Sequence, residues 1–129
     1  MYPHIVKYIK NEGKTVKEVK PKVVRQVISK EASDTLRYIL EKTVTEGTGQ
    51  LAQVPGYRVG GKTGTTENYQ KGKYTASFAG FAPVENPKIA VLVIVKNPTQ
   101  GGYMGGEVAA PIAQEILKDT LSYYEAVRK

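Results

Sequence analysis

Residues 57–66 read YRVGGKTGTT, a stretch rich in glycine and threonine that predicts an extended strand. A polar loop follows at 67–73, and the sequence predicts a second strand at 74–82. A turn containing two prolines leads from there into a third, wholly apolar strand at 88–95. Short connections make consecutive strands antiparallel neighbours, so these residues predict a three-stranded meander.

On the N-terminal side of the meander the sequence predicts a hairpin and a helix. The β-prone runs Ile5–Lys10 and Thr15–Lys20 are separated by residues 11–14, which have the composition of a hairpin turn. Ser29 is a predicted N-cap for a helix over 30–46, in which apolar residues recur at helical spacing. The predicted core face of this helix consists of Leu36, Ile39, Leu40, Thr43 and Val44.

On the C-terminal side, the glycine-rich residues 97–106 are predicted to form a flexible connector. An amphipathic helix follows, with Pro111 placed in its first turn. Hairpin, helix, meander and helix together predict an α+β fold in one folding unit, residues 1–129. Within it, 1–28 form the hairpin and an extended basic segment, and 29–129 form the helix, the sheet and the terminal helix.

Composition excludes several classes of protein. The chain has no cysteine and its only histidine is His4, which excludes cysteine proteases, Ser-His-Asp hydrolases and thiolate metal sites. We predict no cofactor. The longest apolar run, 89–95, is far shorter than the ~20 residues of a membrane-spanning helix, and the first residues do not resemble a secretory signal. The sequence alone therefore does not determine a cellular location.

The positive charge is concentrated at one end of the chain. The formal net charge is +7, and residues 1–30 carry eight basic and two acidic side chains. This segment is either the solvated face of an extended structure or the contact surface of a non-enzymatic module that binds an anionic polymer. The nine tyrosines are scattered and do not predict a base-stacking platform, so no nucleic-acid partner is expected.

Residues 56–63 formally match the G-x-x-x-x-G-K-[ST] phosphate loop, which gives a third hypothesis, nucleotide binding. A phosphate loop needs a buried strand before it and a helix directly after it, so that backbone amides converge on the phosphate. Here Pro55 precedes the pattern, and the β-branched and glycine residues 64–66 follow it. The context therefore disfavours this hypothesis.

The same residues contain the element Lys62-Thr63-Gly64, which occurs in serine enzymes that cleave β-lactams or D-alanyl peptides. There it lies on an exposed edge strand with which the substrate peptide pairs. Lys62 would supply positive potential for a terminal carboxylate, and the Thr63 and Thr65 hydroxyls would donate hydrogen bonds to it. Gly64 would allow close backbone approach, and the Thr65 N–H would serve as one of two oxyanion donors.

Five segments resemble the C-terminal part of class B penicillin-binding proteins, and their order and spacing match across roughly residues 20–124. Within that class, the chain is most similar to the division and sporulation-specific transpeptidases. The resemblance implies a partial penicillin-binding/β-lactamase-like fold with Lys62, Thr63, Gly64 and Thr65 as substrate positions. It implies a peptidoglycan stem peptide or a β-lactam as the partner, and a parent anchored in the cytoplasmic membrane with this domain on the outer side. The segments are Glu46–Gly49, Val54–Tyr57, Gly60–Thr65, Ala76–Pro83 and Val108–Pro111.

The chain departs from that family in its catalytic residues. None of its four serines is followed by lysine at the third position, and no Ser-x-Asn occurs, so the nucleophile and its activating lysine are absent. The sequence therefore predicts a fragment of a D,D-transpeptidase that is inactive alone. In the family the sheet continues beyond the strand equivalent to 88–95. Here the side chains on both faces of that strand are apolar, and the terminal helix can cover only one face. We therefore also predict self-association.

Overall fold

The computed structural model describes residues 1–68 and 71–127 and shows an α+β fold. Contacts divide the chain into two compact units, one of residues Met1–Ser33 and one that begins at Asp34. A two-stranded and a three-stranded antiparallel sheet and two helices are present, as predicted. The elements are β1 (Tyr8–Asn11), β2 (Lys14–Glu18), α1 (Lys30–Thr45), a 3₁₀ turn (Gln50–Ala52), β3 (Gly60–Glu67), β4 (Tyr74–Ala82), β5 (Ile89–Lys96) and α2 (Gly105–Val127).

The hairpin of the first unit forms where the sequence predicts it, with shorter strands. Asn11 pairs with Lys14, so the loop between β1 and β2 consists of Glu12 and Gly13. Both loop residues have positive φ, 48° and 78°, which is the backbone twist that two-residue hairpin loops require. Every residue of the two strands is exposed.

The meander of the second unit has the order β3-β4-β5, which confirms the antiparallel prediction. The strand predicted from Tyr57 begins only at Gly60. Val54 and Tyr57 form a separate small bridge, in which the Tyr57 N–H donates to the Val54 carbonyl at 3.1 Å. Gly56 has a φ of 84° and permits this turn, so the chain enters β3 later than its composition suggests.

Helix α2 starts earlier than predicted, and the placement of Pro111 in its first turn is wrong. The helix begins at Gly105, so Pro111 is its seventh residue and the connector before it is shorter than expected. Only glycine fits at the first two helical positions, because their neighbours leave no room for a side chain. A Cβ on Gly105 would lie 2.3 Å from the Ser77 carbonyl oxygen, and one on Gly106 would lie 2.3 Å from that of Thr48.

The core lies between α2 and one face of the meander. Alternate β5 residues, such as Val93, face α2, whereas Leu92 and Ile94 on the opposite face remain 64% and 55% exposed. Helix α1 contributes Val44 to this core, but Leu36 and Ile39 of its predicted core face stay about half exposed. The largest fully buried side chains are Phe78, Leu117, Leu121 and Val44.

A bidentate ion pair between Glu41 and Arg58 connects α1 to the segment that leads into β3. The Nε and Nη2 atoms of Arg58 each lie 2.6 Å from a carboxylate oxygen of Glu41, which is itself buried. The hydrogen bonds from Arg58 hold the pKa of Glu41 below its ordinary value, against the opposing effect of burial.

This pair makes stability depend on pH with a definite sign. Because the pKa of Glu41 is lower in the folded chain, its stabilising contribution is present above pH 4.5, its ordinary pKa, and is lost as the pH falls through the lowered value. We expect Glu41→Gln to lower the free energy of unfolding by about 1 kcal/mol at pH 7. Urea unfolding from pH 7 down to pH 2.5 should show this gap closing.

Glu46→Gln is the matched control, because Glu46 directly follows α1 and pairs with Lys42 of that helix on the exposed surface. Its effect on the urea midpoint should be small at every pH. A gap between wild type and Glu41→Gln that stays constant down to pH 2.5 would contradict the assigned role of the ion pair.

Candidate substrate-binding strand

The four residues singled out by the sequence lie together on β3, at the edge of the meander. Within residues 1–68 and 71–127, β4 is the only strand that pairs with β3, so the other side of β3 is an open edge. Lys62, Thr63, Gly64 and Thr65 occupy the middle of this strand, opposite Ala79, Phe78, Ser77 and Ala76.

The register decides which backbone groups point out of the sheet. Just beyond the strand, the Asn68 N–H donates to the Lys73 carbonyl at 2.7 Å, so these residues form a hydrogen-bonded pair. Hydrogen-bonded and non-hydrogen-bonded pairs alternate along an antiparallel ladder. Two and four residues before Asn68, the backbones of Thr66 and Gly64 are therefore hydrogen-bonded to β4. Thr63 and Thr65 lie between such positions and direct their N–H and C=O groups to the open edge.

The side chains of the same residues divide between the two faces of the sheet. Thr63 and Thr65 lie on the face covered by α2, because they are opposite Phe78 and Ala76, which are buried against that helix. Lys62 lies on the other face, and its ammonium group bends back to donate to the Thr63 carbonyl at 2.8 Å. The lysine therefore reaches the open edge from the face opposite α2.

Both threonine hydroxyls, which the sequence assigns to a ligand carboxylate, also have partners within the chain. The Thr63 Oγ1 atom lies 2.7 Å from the Thr48 Oγ1 atom. The Thr65 Oγ1 atom accepts a hydrogen bond of 3.0 Å from the backbone N–H of Gly105, at the start of α2. An accepting hydroxyl keeps its own proton, so Thr65 can still donate to a ligand.

Thr48 and Gly105 are contacts that the sequence analysis missed. From the sequence, residues 46–49 are assigned only to a segment that resembles the family, and the connector 97–106 only to a flexible loop, without a contact to β3 in either case. Their partners on β3 are 15 and 40 residues away in the chain, and no local pattern encodes such separations. Gly105 and Gly106 mark the close contact between α2 and its neighbours, but this can be recognised only after the helix has been positioned against β3.

The packing around Gly64 leaves no room for a side chain, even when no ligand is bound. A Cβ at this position would lie 2.6 Å from the Ser77 Oγ atom on the face opposite α2. On the α2 face, Gly105 packs directly against the Gly64 backbone. Packing against Ser77 and Gly105 is thus a reason for this glycine in addition to the close backbone approach predicted from the sequence.

The phosphate-loop geometry is absent from residues 56–67. Lys62 lies within β3, which continues as a strand to Glu67, so no helix N-terminus follows the glycines to hold a phosphate. Nucleotide binding through these residues is therefore not supported.

The other open hypotheses concern the first unit and metals. All seven lysine and arginine side chains of residues 1–28 are exposed, and binding of an anionic polymer to them stays a prediction. His4 is also exposed. Across residues 1–68 and 71–127, His, Asp and Glu side chains nowhere cluster closely enough to hold a metal ion. Neither described helix has the length and apolar run that a membrane crossing needs.

Comparison with known proteins identifies the family. The model of the penicillin binding protein transpeptidase domain matches residues 1–118. The chain belongs to this transpeptidase family. Stage V sporulation protein D of Bacillus subtilis is 50% identical over 113 residues, which cover 84% of this chain and 18% of that protein. The match confirms the resemblance inferred from the five sequence segments.

Solved transpeptidase structures share the partial fold. The transpeptidase domain of the FtsI4 D,D-transpeptidase from Legionella pneumophila matches with a TM-score of 0.67 and 39% identity, over 73% of this chain and 37% of that one. The transpeptidase domain of penicillin-binding protein 3 from Burkholderia pseudomallei matches with a TM-score of 0.63 and 46% identity, over 70% of this chain and 29% of that one. The chain thus spans well under half the length of these relatives.

Proposed function

We propose that β3 is the substrate-binding strand of a peptidoglycan D,D-transpeptidase. The observation that carries the proposal is the open edge of β3, where the backbone groups of Thr63 and Thr65 point outward. An extended peptide can pair with these groups as an additional strand. Lys62 at the same edge supplies a positive charge for the terminal carboxylate of a stem peptide or of a β-lactam.

The proposed role of the Thr65 N–H is to stabilise the oxyanion of the acyl-transfer step. When a serine oxygen attacks the substrate carbonyl, a bond forms between the two and negative charge develops on the carbonyl oxygen. The outward N–H of Thr65 is free of the β3–β4 ladder and can donate to that oxygen. The serine must come from outside this sequence, because no S-x-x-K occurs in it. The chain alone is therefore inactive.

A fluorescent penicillin tests this function. We expect no covalent labelling of the 129-residue chain, and labelling of a longer chain in which this sequence follows segments that carry S-x-x-K and S-x-N. In the longer chain, Thr65→Pro removes the outward N–H without removing a ladder bond, and should slow labelling by about 10²–10³-fold.

Thr65→Val is the matched control, because it keeps the N–H and a β-branched side chain. It loses only the hydroxyl, so its labelling should slow much less than that of Thr65→Pro. Equal rates for Thr65→Pro and wild type would remove the oxyanion role. Stoichiometric labelling of a serine in the 129-residue chain would contradict its inactivity.

We also propose that the chain self-associates through β5 and the sheet face opposite α2. This face carries Leu92 and Ile94, both more than half exposed. Beside them lies an open groove of about 450 Å³ whose lining includes Leu40, Ala79 and Phe81. Exposed apolar surface of this kind at a sheet edge favours association.

A further inference from the structure

Thr48 lies where it can control the hydroxyl of Thr63. Its Oγ1 atom is 2.7 Å from the Thr63 Oγ1 atom, a normal distance for a hydroxyl pair, and either atom can be the donor. Thr48 belongs to the turn 47–49 that follows α1, so it reaches β3 from a separate part of the second unit.

The backbone of Thr48 is held on both sides. The Gly49 N–H donates to the Thr43 carbonyl at 3.0 Å, which fixes the turn to the last residues of α1. On the other side, Gly106 packs so closely that a Cβ there would lie 2.3 Å from the Thr48 carbonyl oxygen. The position of the Thr48 hydroxyl is therefore set by the end of α1 and the start of α2 together.

The chemistry of the pair determines its direction when a carboxylate is bound. A carboxylate only accepts hydrogen bonds, so Thr63 must give its single proton to the ligand. The Thr63 oxygen is then left as an acceptor, and the Thr48 hydroxyl, 2.7 Å away, must be the donor to it. A donor behind a hydroxyl polarises it and strengthens the bond that it makes in front.

We propose that Thr48 is a positioning residue, which orients the Thr63 hydroxyl toward a ligand carboxylate by donating to its oxygen. This inference rests on the function proposed for β3, and it adds a residue outside the Lys62–Thr65 element. Without the Thr48 hydroxyl, the Thr63 proton is free to point away from the ligand.

Kinetics of penicillin acylation in the longer chain test the proposal. Thr48→Val removes the hydroxyl and keeps the shape, and should lower the second-order rate constant of labelling about tenfold, the loss expected for one hydrogen bond near a charge. Thr48→Ser restores the hydroxyl and should bring the rate back to within about threefold of wild type. Thr120→Val is the control, since its hydroxyl donates only to the Ile116 carbonyl within α2.

A penicillin methyl ester separates positioning from packing. The ester carbonyl is neutral and accepts a weaker hydrogen bond than a carboxylate does, so the loss of rate in Thr48→Val should be clearly smaller with the ester than with the acid. Equal losses with the acid and the ester, or no loss with either, would overturn the role of Thr48 while leaving the function of β3 intact. A wild-type longer chain that folds but reacts with neither compound would overturn the function of β3, and the role of Thr48 with it.

Nuclear magnetic resonance on the 129-residue chain provides a test that does not need acylation. Thr48→Val should shift the amide signals of Thr63 and Gly64, and Thr120→Val should leave them in place. Unchanged signals in the folded Thr48→Val chain would show that the Thr48–Thr63 hydrogen bond does not form, and would overturn the proposal.

Discussion

Replacing Phe78 by alanine is expected to lower the free energy of unfolding by about 3–5 kcal/mol. The ring is fully buried in the centre of β4, and it lies directly on two glycines. A Cβ on Gly61 would come within 2.4 Å of the ring, and one on Gly80 within 2.5 Å. Without the ring these glycines would line a cavity, so the substitution loses both the buried apolar surface and the packing around it.

Phe81→Ala is the matched control for this prediction. Phe81 lies on the same strand, three residues further along, but on the face opposite α2, where it is only partly buried. Its loss should cost about 1–2 kcal/mol, since part of its surface is already in water. Urea unfolding followed by circular dichroism measures both variants. Equal costs for the two substitutions would show that the core between α2 and the sheet is not as packed as the structure indicates.

The meander was predictable from sequence because local signals agree with tertiary packing there. Strand β4 has the bounds that the sequence predicts, 74–82, and β5 differs by one residue at each end. Both strands end at turns whose residues are unsuitable for strands. The Ser29 N-cap was also predictable, and its Oγ atom accepts from the Ala32 N–H at 3.1 Å.

The start of α2 could not be predicted, because its cause is tertiary. Gly105 and Gly106 are poor helix formers, so local propensity places the start of the helix after them. Only glycine fits there, because the helix packs against Gly64 and Thr48 at distances that exclude a Cβ. The same applies to the site. The sequence predicts that Lys62 to Thr65 lie on a strand. The partners of the Thr63 and Thr65 hydroxyls could not be predicted, because they depend on where α1 ends and where α2 begins.

The apolar residues in the first half of helix α1 show the opposite case, a strong local pattern that the fold does not bury. Leu36 and Ile39 recur at helical spacing and predict burial, yet about half of each side chain remains exposed. Leu40 lines the groove on the sheet face opposite α2. Within the described residues this apolar pattern is therefore not matched by burial, because no other element covers Leu36 and Ile39.

We expect the chain to self-associate through the open edge of β5. Just beyond β5, the Asn97 N–H donates to the Tyr74 carbonyl at 2.7 Å, so by alternation Val91, Val93 and Val95 bond to β4. Within residues 1–68 and 71–127, β4 is the only strand that pairs with β5. Leu92 and Ile94 therefore direct their backbone groups to the open edge of β5 and their side chains to the face opposite α2. At ~25 cal/mol per Å², covering a few hundred Å² of this surface corresponds to several kcal/mol. Sedimentation at micromolar concentration should show dimers or larger species.

Leu92→Lys tests this interface without disturbing the core. A lysine there places a charge at the proposed edge and should convert the chain to a folded monomer, with an apparent dissociation constant raised by at least about 100-fold. Val127→Lys, at a side chain that is likewise 64% exposed but lies at the end of α2, should leave association unchanged. Val93 is unsuitable for the test because it is only 8% exposed and faces α2, so a lysine there would unfold the chain. A wild-type chain that is monomeric and cooperatively folded at micromolar concentration would contradict the proposal, as would Leu92→Lys and Val127→Lys chains that associate equally.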